Sequence, residues 1–337
     1  MIFCVGLLVF LVWQIGLTAL LSEFTTLGWG LAPLVLIEGV ADIFHTLAWR
    51  HCLSEPHRSL PLFRIFRIRM AGVGINYVTP AGLGGEVAKG VLLSSDHKSA
   101  GAITGVIIGK LAYVLAQLLF VSIGSIVTLW GVELPVGIWP ALLIGSSILA
   151  LGLSGFLLVQ KYGKLGLLIR WIVARRIGGK LLQNAERHIT EVDNALKQFY
   201  REHPRDLSYA VLWHILGLSI GTVQTWLFLL ILSDHPSILL AAGTWFLGTW
   251  FDLLTFAIPM GIGIQEASRV IAFNAVGYGS VLGLAFGVTL RLELIFWAGF
   301  GLLCYASLLH EERMAKAIST GSTHKTFFSF LNPRERE

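Results

Sequence analysis

The sequence predicts an all-α fold: a polytopic membrane helix bundle with two discontinuous or re-entrant helical segments in an internal repeat. Composition is the first reason, because 55% of the 337 residues are hydrophobic and only 13% are charged, against about a quarter in soluble domains. Several apolar runs also reach the roughly 20 residues that a helix needs to cross the hydrocarbon layer. These runs are too long and too continuously apolar for barrel strands, which favours helices.

Seven apolar runs are predicted to span the membrane. They cover about residues 2–21, 29–53, 100–130, 137–159, 207–232, 237–258 and 279–309. The first run has no basic start and no small-residue cleavage site, so we expect a retained span rather than a signal peptide. The spans predict one transmembrane domain over about 1–310, followed by a loose polar tail over 311–337.

The distribution of basic residues predicts the orientation. The segments 54–99 and 160–205 are rich in Lys and Arg, whereas the three short loops carry neither. By the positive-inside rule, both long segments and the N-terminus face the cytoplasm. The segment 160–205 is expected to hold an amphipathic helix against that face. The side of the C-terminus stays open, because spacing does not decide whether residues 261–278 cross fully.

Residues 60–73 mix arginines with Leu, Phe and Ile at helical spacing. Three of these cations are Arg64, Arg67 and Arg69. The pattern is typical of an interfacial amphipathic helix whose cations meet anionic headgroups.

A short polar motif occurs twice in this apolar chain. Each copy reads Pro, Gly-x-Gly, Glu and a cation three residues later. A further cation follows inside the next apolar run, Lys110 at 24 positions after Glu86 and Arg291 at 25 positions after Glu266. Because so many features occur twice in the same order, the sequence predicts an internal duplication, with units over about 29–130 and 237–309. The copies are Pro80, Gly82, Gly84, Gly85, Glu86 and Lys89, then Pro259, Gly261, Gly263, Glu266 and Arg269.

The prolines and glycines of both motifs are predicted to be hinges. Proline removes a backbone donor, and glycine permits unusual backbone and close helix approach. Broken backbone at membrane depth survives only where it is buried in protein or lines a cavity. A re-entrant or discontinuous helix is therefore expected at each motif, with Glu86 at the start of the second half-helix, where the positive dipole end suits it.

Further polar residues lie inside the predicted spans. Glu38, Asp42 and His45 share one helical face, and a charge at mid-membrane depth costs at least about 2.5 kcal/mol. We therefore expect Glu38 and Asp42 to line a cavity together with Gln117 and Asp252. The alternative is that Glu38 or Asp42 only pairs with a cation such as Lys110 to hold helices together.

Motifs for metal, nucleotide or nucleophilic chemistry are not apparent. The cysteines Cys4, Cys52 and Cys304 lie far apart, and no pair has metal-ligand spacing. The histidines His45 and His214 are isolated in sequence, as is His310. We therefore predict no metal, no cofactor and no catalytic residue. The net charge of +5 is concentrated in loops and indicates orientation rather than a nucleic-acid partner.

The motifs resemble the flippase-like transmembrane family, whose membrane region is shared with lysylphosphatidylglycerol synthases. The resemblance extends to about Arg313 and is closest to the hopanoid-biosynthesis-associated branch, on cues such as Gln117 with Phe120. Two departures are Lys89, where the family usually has arginine, and Ala112 with Tyr113, where acidic residues usually follow. The residues that carry the resemblance are Asn76, Pro80, Gly84, Gly85, Glu86 and Lys89, then Pro259, Gly261, Gly263, Glu266 and Arg291.

The resemblance implies movement of a lipid or lipid-linked precursor across or out of the bacterial inner membrane. The aminoacyl-transferring domain of the full synthases is absent from this sequence, which argues against tRNA-dependent lipid aminoacylation by it. Half-helix N-termini and cations can hold an anionic headgroup. The residues expected to bind the lipid are Asn76, Glu86, Lys89, Lys110, Glu266, Arg269 and Arg291.

Two other functions stay open. One is an intramembrane enzyme that modifies a lipid with Glu86 or Glu266 as general base. The other is a scaffold that docks partner proteins of lipid biosynthesis on the segment 160–205. Hopanoid, phospholipid and polyprenyl-phosphate-linked sugar remain equally open as the lipid, and the sequence does not indicate an oligomeric state.

Overall fold

The protein is described here by a computed structural model that covers residues 10–79, 84–96, 101–135, 137–162, 198–199, 201–234, 236–254 and 263–331. The described residues form helices and turns and no strand, which confirms the all-α prediction. In chain order, the helices are α1 Leu17–Leu27, α2 Leu31–Leu36, α3 Glu38–Cys52, α4 Leu62–Val78, α5 Gly84–Asp96, α6 Gly101–Gly131, α7 Ile138–Tyr162, α8 Pro204–Leu232, α9 Ile238–Leu254, α10 Ile264–Val276 and α11 Ser280–Leu331.

Four stretches of described helix are long and apolar enough to cross a membrane. They are Leu17–Cys52, Gly101–Gly131, Pro204–Leu232 and Ser280–Met314. Helices α7 and α9 occupy the predicted fourth and sixth spans. The chain is therefore a polytopic helical membrane protein.

The first turn differs from the prediction, which placed a loop at residues 22–28. Helix α1 continues through residues 22–27 and ends at Leu27, where the following Gly28 has a φ of 45°, a conformation that favours glycine. The predicted loop ended at this same glycine. An earlier interruption lies at Gly16, with φ 97°, and apolar periodicity did not reveal it, because it depends on a single glycine in an otherwise hydrophobic run.

Helix α4 is part of the bundle, so the prediction of an interfacial helix over 60–73 is wrong. Ile65, Ile68 and Met70 are fully buried, and α4 packs along α11. The two backbones touch at glycines: a methyl group built on Gly301 would overlap the Met70 carbonyl oxygen and lie 2.8 Å from the Gly74 nitrogen. Small residues at helix contacts are typical of membrane bundles.

Two arginines of α4 form ion pairs with Glu311 in the C-terminal half of α11 instead of being left to bind lipid headgroups. The Arg67 Nη2 atom lies 2.6 Å from Glu311 Oε1, and Arg64 pairs with the same carboxylate. Helix α11 continues to Leu331. The tail predicted to be loose from 311 onward is therefore helical as far as Leu331.

A second ionic contact joins residues near the end of α3 to Asp206 in the first turn of α8. Arg58 binds Asp206 with two hydrogen bonds, of 2.9 and 2.8 Å, and His51 Nδ1 lies 3.0 Å from the same carboxylate. The hydrogen bond to Asp206 raises the pKa of the Arg58 guanidinium. This contact joins the end of α3 to the start of α8.

The two motif regions show the same order of helices. In the first copy α4 is followed by α5, and in the second copy α9 is followed by α10. In both copies these two helices pack against each other and precede a long helix, α6 or α11. The order agrees with a duplication, although the unit boundaries stay a prediction.

The connections inside both motifs lie outside the described residues. This concerns residues 80–83 and 255–262, and with them the predicted hinges Pro80, Gly82, Pro259 and Gly261. The re-entrant path therefore remains a prediction. Most of the segment 160–205, with its predicted amphipathic helix, also lies outside.

Candidate functional site

A polar cavity of about 280 Å³ lies between α3, α4, α5, α6, α8 and α11. Its walls carry charges of both signs and two histidines, which is unusual in an apolar bundle. The polar side chains that line it are Glu38, Asp42, His45, Arg69, Asn76, Glu86, Lys89, Lys110, Tyr113, His214 and Glu293.

The first motif places one carboxylate between two cations. Glu86 lies in the first turn of α5, with Lys89 Nζ at 2.6 Å and Lys110 Nζ at 3.9 Å from its oxygens. Lys89 also lies over the Trp49 ring, at 5.3 Å from its centroid. Because two ammonium groups share one carboxylate, one positive charge in this group is not balanced by it. The Lys110 side chain is 51% exposed and can be reached from the cavity.

The start of α5 is held by an amide. The Asn76 Oδ1 atom accepts a hydrogen bond of 2.7 Å from the Gly85 N–H, which satisfies one of the free donors at the helix N-terminus. A side chain on Gly85 would overlap the Gly72 carbonyl oxygen, so only glycine allows α4 and α5 to approach this closely. Asn76 thus fixes the position of Glu86 relative to α4.

The polar face of α3 contacts Arg69, a cation that was not among the residues predicted for the site. Asp42 forms an ion pair with Arg69 of α4, so it does pair with a cation of another helix, as the alternative interpretation expected, but that cation is Arg69 and not Lys110. Glu38 and Glu293 have no cation within ion-pair distance in the described parts of the chain. Glu293 accepts a hydrogen bond from the Gln224 amide instead.

Gln224 makes a second contact from the same amide group. Its Nε2 atom donates to the Leu34 carbonyl oxygen at 2.8 Å, and Gln224 itself is 1% exposed. Next to it, the Trp297 Nε1 atom donates to the Val35 carbonyl oxygen, also at 2.8 Å. Helix α2 is therefore joined to α8 and α11 immediately before Glu38.

His45 and His214 form a pair, so the expectation that they are isolated is wrong. Their Nδ1 atoms lie 2.8 Å apart, and the edges of both rings pack on Tyr113, with ring centroids 5.5 and 5.3 Å from it. Both histidines are nearly fully buried. The two residues are 169 positions apart, so no local spacing could have paired them; the only sequence signal was His45 on the acidic face of α3.

The second motif repeats the central ion pair of the first. The Arg291 Nε atom lies 2.8 Å from Glu266 Oε1, while Glu266 Oε2 accepts a hydrogen bond of 2.7 Å from the Gly263 N–H. Glu266 is 1% exposed. The copies differ at the cation three residues on, because Arg269 pairs with Asp252 of α9 at 2.6 Å instead of with Glu266.

A second cavity, of about 230 Å³, adjoins the first. Glu38, His45, Tyr113 and Glu293 line both cavities and form the wall between them. Arg269 lines the second cavity from the other side and packs over Trp245, 5.1 Å from the ring centroid. Within the described residues, the buried Arg269 Nε and Nη1 atoms have no hydrogen-bond partner, so two nitrogens of this guanidinium are unpaired.

The predicted site residues therefore divide into three groups. Glu38, Asp42, Asn76, Glu86, Lys89 and Lys110 line the first cavity, and Arg269 lines the second together with Glu38. Four residues line neither cavity, namely Gln117, Asp252, Glu266 and Arg291.

An apolar groove of about 610 Å³ runs between α5 and α6. Val87, Val91 and Ile103 line it and are largely exposed. Glu86 lines both this groove and the first polar cavity. The apolar groove and the charged cavity thus meet at Glu86.

These features define a polytopic helical membrane protein with adjoining charged cavities. The chain belongs to the family described as the lysylphosphatidylglycerol synthase TM region, whose model matches residues 1–302. Comparisons with curated proteins and with solved structures gave no match. Family membership and the apolar helices point to a lipid-related function in a membrane; the hopanoid-associated branch stays a prediction.

Proposed function

We propose that this protein moves lipids with an anionic headgroup between the leaflets of the bacterial inner membrane, as flippase-like transport. The observation that carries the proposal is the meeting of the apolar groove and the first polar cavity at Glu86. A lipid has an apolar tail and a polar head, and this arrangement offers each part a matching surface. The tail lies along α5 and α6 while the headgroup enters the cavity.

Cations near the cavity support an anionic headgroup. Lys110 is half-exposed and is held at 3.9 Å from a carboxylate that Lys89 also neutralises. Arg269 lines the second cavity, and a guanidinium suits phosphate oxygens. Among the lipids that the family resemblance implies, an anionic phospholipid fits these cations better than an uncharged hopanoid does.

In this proposal, the two motifs are re-entrant hairpins that bring helix N-termini toward the headgroup. Helices α5 and α10 each begin at a glycine-containing motif with a glutamate in the first turn. Free backbone donors and the helix dipole at such ends favour anions. The N-terminus faces the cytoplasm, as the basic residues predict.

Leaflet exchange in liposomes tests the proposal. The purified protein is reconstituted with fluorescent phosphatidylglycerol, and the rate at which the outer leaflet is replenished after quenching is measured. We expect Lys110→Gln and Arg269→Gln each to slow the exchange about tenfold or more, since a hydrogen bond to a charged group contributes about 1.5–3 kcal/mol and 1.4 kcal/mol corresponds to a factor of ten.

Arg67→Gln provides the matched control, because Arg67 is a cation of α4 that binds Glu311 outside both cavities. Its exchange rate should equal that of the unmodified protein. Equal slowing in all three variants would show that the cavity cations have no special role. Protein-free rates for the unmodified protein would refute the transport function itself.

A further inference from the structure

The only histidine pair among the described residues lies at the wall between the two cavities, where His45 lines both and His214 lines the first. We infer that this pair, together with Glu38 and Glu293 beside it, is a proton-binding site whose occupancy controls the binding of the anionic headgroup. The inference rests on the proposed transport and names the ion that would drive it. It depends on the geometry of the pair and on the charges that face it.

The pair can take up one proton without breaking. In the neutral state, one Nδ1–H donates to the Nδ1 atom of the other ring across 2.8 Å, and the accepting ring carries its proton on Nε2. The donor ring then keeps one lone pair, on its Nε2 atom, which accepts the incoming proton and becomes an N–H. Another proton would have to bind the accepting Nδ1 atom and would place two N–H groups against each other.

The charged groups around the pair favour the uptake of no more than one proton. Arg69, Lys89 and Lys110 face the pair from α4, α5 and α6 across the first cavity, and Arg269 faces the wall from α10 across the second. These cations oppose any positive charge on the imidazoles, so the first proton depends on the nearby carboxyl groups of Glu38 and Glu293, and a second proton is opposed more strongly. Within the described residues the buried His214 Nε2 atom has no hydrogen-bond partner, so one ring nitrogen of the pair is not engaged by another group.

Two carboxyl groups beside the histidine pair, those of Glu38 and Glu293, have no cation as an ion-pair partner among the described residues. Asp42 is bound to Arg69, and Glu86 to Lys89 and Lys110, whereas Glu38 and Glu293 have no ion pair among the described residues. Both line both cavities, as His45 does. They are the groups next to the pair that can hand a proton to it or take one from it, and the Tyr113 ring packs on both imidazoles.

A bound proton changes the charge of the cavity by one unit. The paired groups around Glu86 already hold one excess positive charge, and unprotonated Glu38 and Glu293 would oppose it. Proton uptake at the wall offsets part of this negative charge and therefore favours binding of the anionic headgroup. Because coupling between two binding sites is reciprocal, a bound anionic headgroup must also favour proton binding, so proton and lipid move together.

Proton counting tests the pair directly and needs no transport. The detergent-purified protein is titrated from pH 8 to pH 5, and the number of bound protons is compared with that of His45→Asn/His214→Asn. We expect the double variant to bind one proton fewer. His310→Asn removes an exposed imidazole outside the pair and serves as the control for the loss of a histidine elsewhere in the chain. A difference of zero or of two protons would overturn the shared site. If the double variant does not fold, His214→Gln serves in its place: the remaining His45 should still bind one proton, so the count should equal that of the unmodified protein, and a loss of one proton would indicate two independent imidazoles and overturn the shared site.

The coupling is tested by exchange of fluorescent phosphatidylglycerol in liposomes at pH 8 and pH 6. We expect the unmodified protein to be faster at pH 6 by roughly fivefold or more and the histidine variant to lose this dependence, while Arg67→Gln keeps it. Exchange that is equally fast at both pH values would leave transport intact and remove the coupling. Absence of exchange in the unmodified protein would remove the proposed function and the coupling with it, while the proton count would still decide whether the pair binds a proton.

Discussion

Replacing Arg291 by methionine is expected to destabilise the protein by about 3–5 kcal/mol, because it leaves the carboxylate of Glu266 buried without its cation. Glu266 is 1% exposed, and Arg291 Nε lies 2.8 Å from it. Thermal unfolding in a fixed detergent measures the loss. The effect should be among the largest of any single charge replacement in the described bundle.

The matched variant is Glu266→Gln combined with Arg291→Met. A glutamine oxygen can still accept the Gly263 N–H bond, and no buried charge remains, so most of the lost stability should return. Since neither residue lines the two cavities, we expect lipid exchange to return as well. A double variant that is stable but does not exchange lipid would instead assign Arg291 or Glu266 to headgroup binding.

Replacing Gly301 by alanine is expected to force α4 and α11 apart. The added methyl group would overlap the Met70 carbonyl oxygen and approach the Gly74 nitrogen to 2.8 Å, and backbone atoms cannot rotate away as a side chain would. Overpacking of this kind costs about 1–3 kcal/mol, and we expect the upper end of that range because both obstacles are backbone.

Gly299→Ala is the control, two residues away on the same helix. A methyl group there meets nothing within 4 Å, and alanine is a better helix former than glycine by up to about 1 kcal/mol. This variant should be neutral or slightly more stable in the same unfolding experiment. Similar losses for both variants would mean that the close contact between α4 and α11 does not decide the stability.

Much of the helix arrangement could be predicted from the sequence, because the length of apolar runs is set by membrane thickness. The predicted span 100–130 corresponds to α6, Gly101–Gly131, and the predicted span 207–232 to α8, Pro204–Leu232. Breaks that depend on one residue were less visible. The break at Gly16 is an example, since a glycine in an apolar run is equally compatible with a continuous helix.

The interior of the site could be predicted only along single helices. The acidic face of α3 was visible because Glu38, Asp42 and His45 follow helical periodicity. Their partners were not, because Arg69 and His214 come from other helices, and nothing local distinguishes Arg69 from arginines that bind at the surface. Which side chains meet across a bundle depends on how the helices pack, and one sequence does not contain that information in readable form.

The double contact of Gln224 bears on which parts of the protein can shift during a working cycle. One amide nitrogen secures the Leu34 carbonyl on one side and the Glu293 carboxyl on the other. In a layer without water, sliding these three segments past each other would leave polar atoms with nothing to replace their bonds. These three segments should therefore move as one rigid body. Any rocking motion that alternately opens the protein to either leaflet must then come from the short helices that pack against this body.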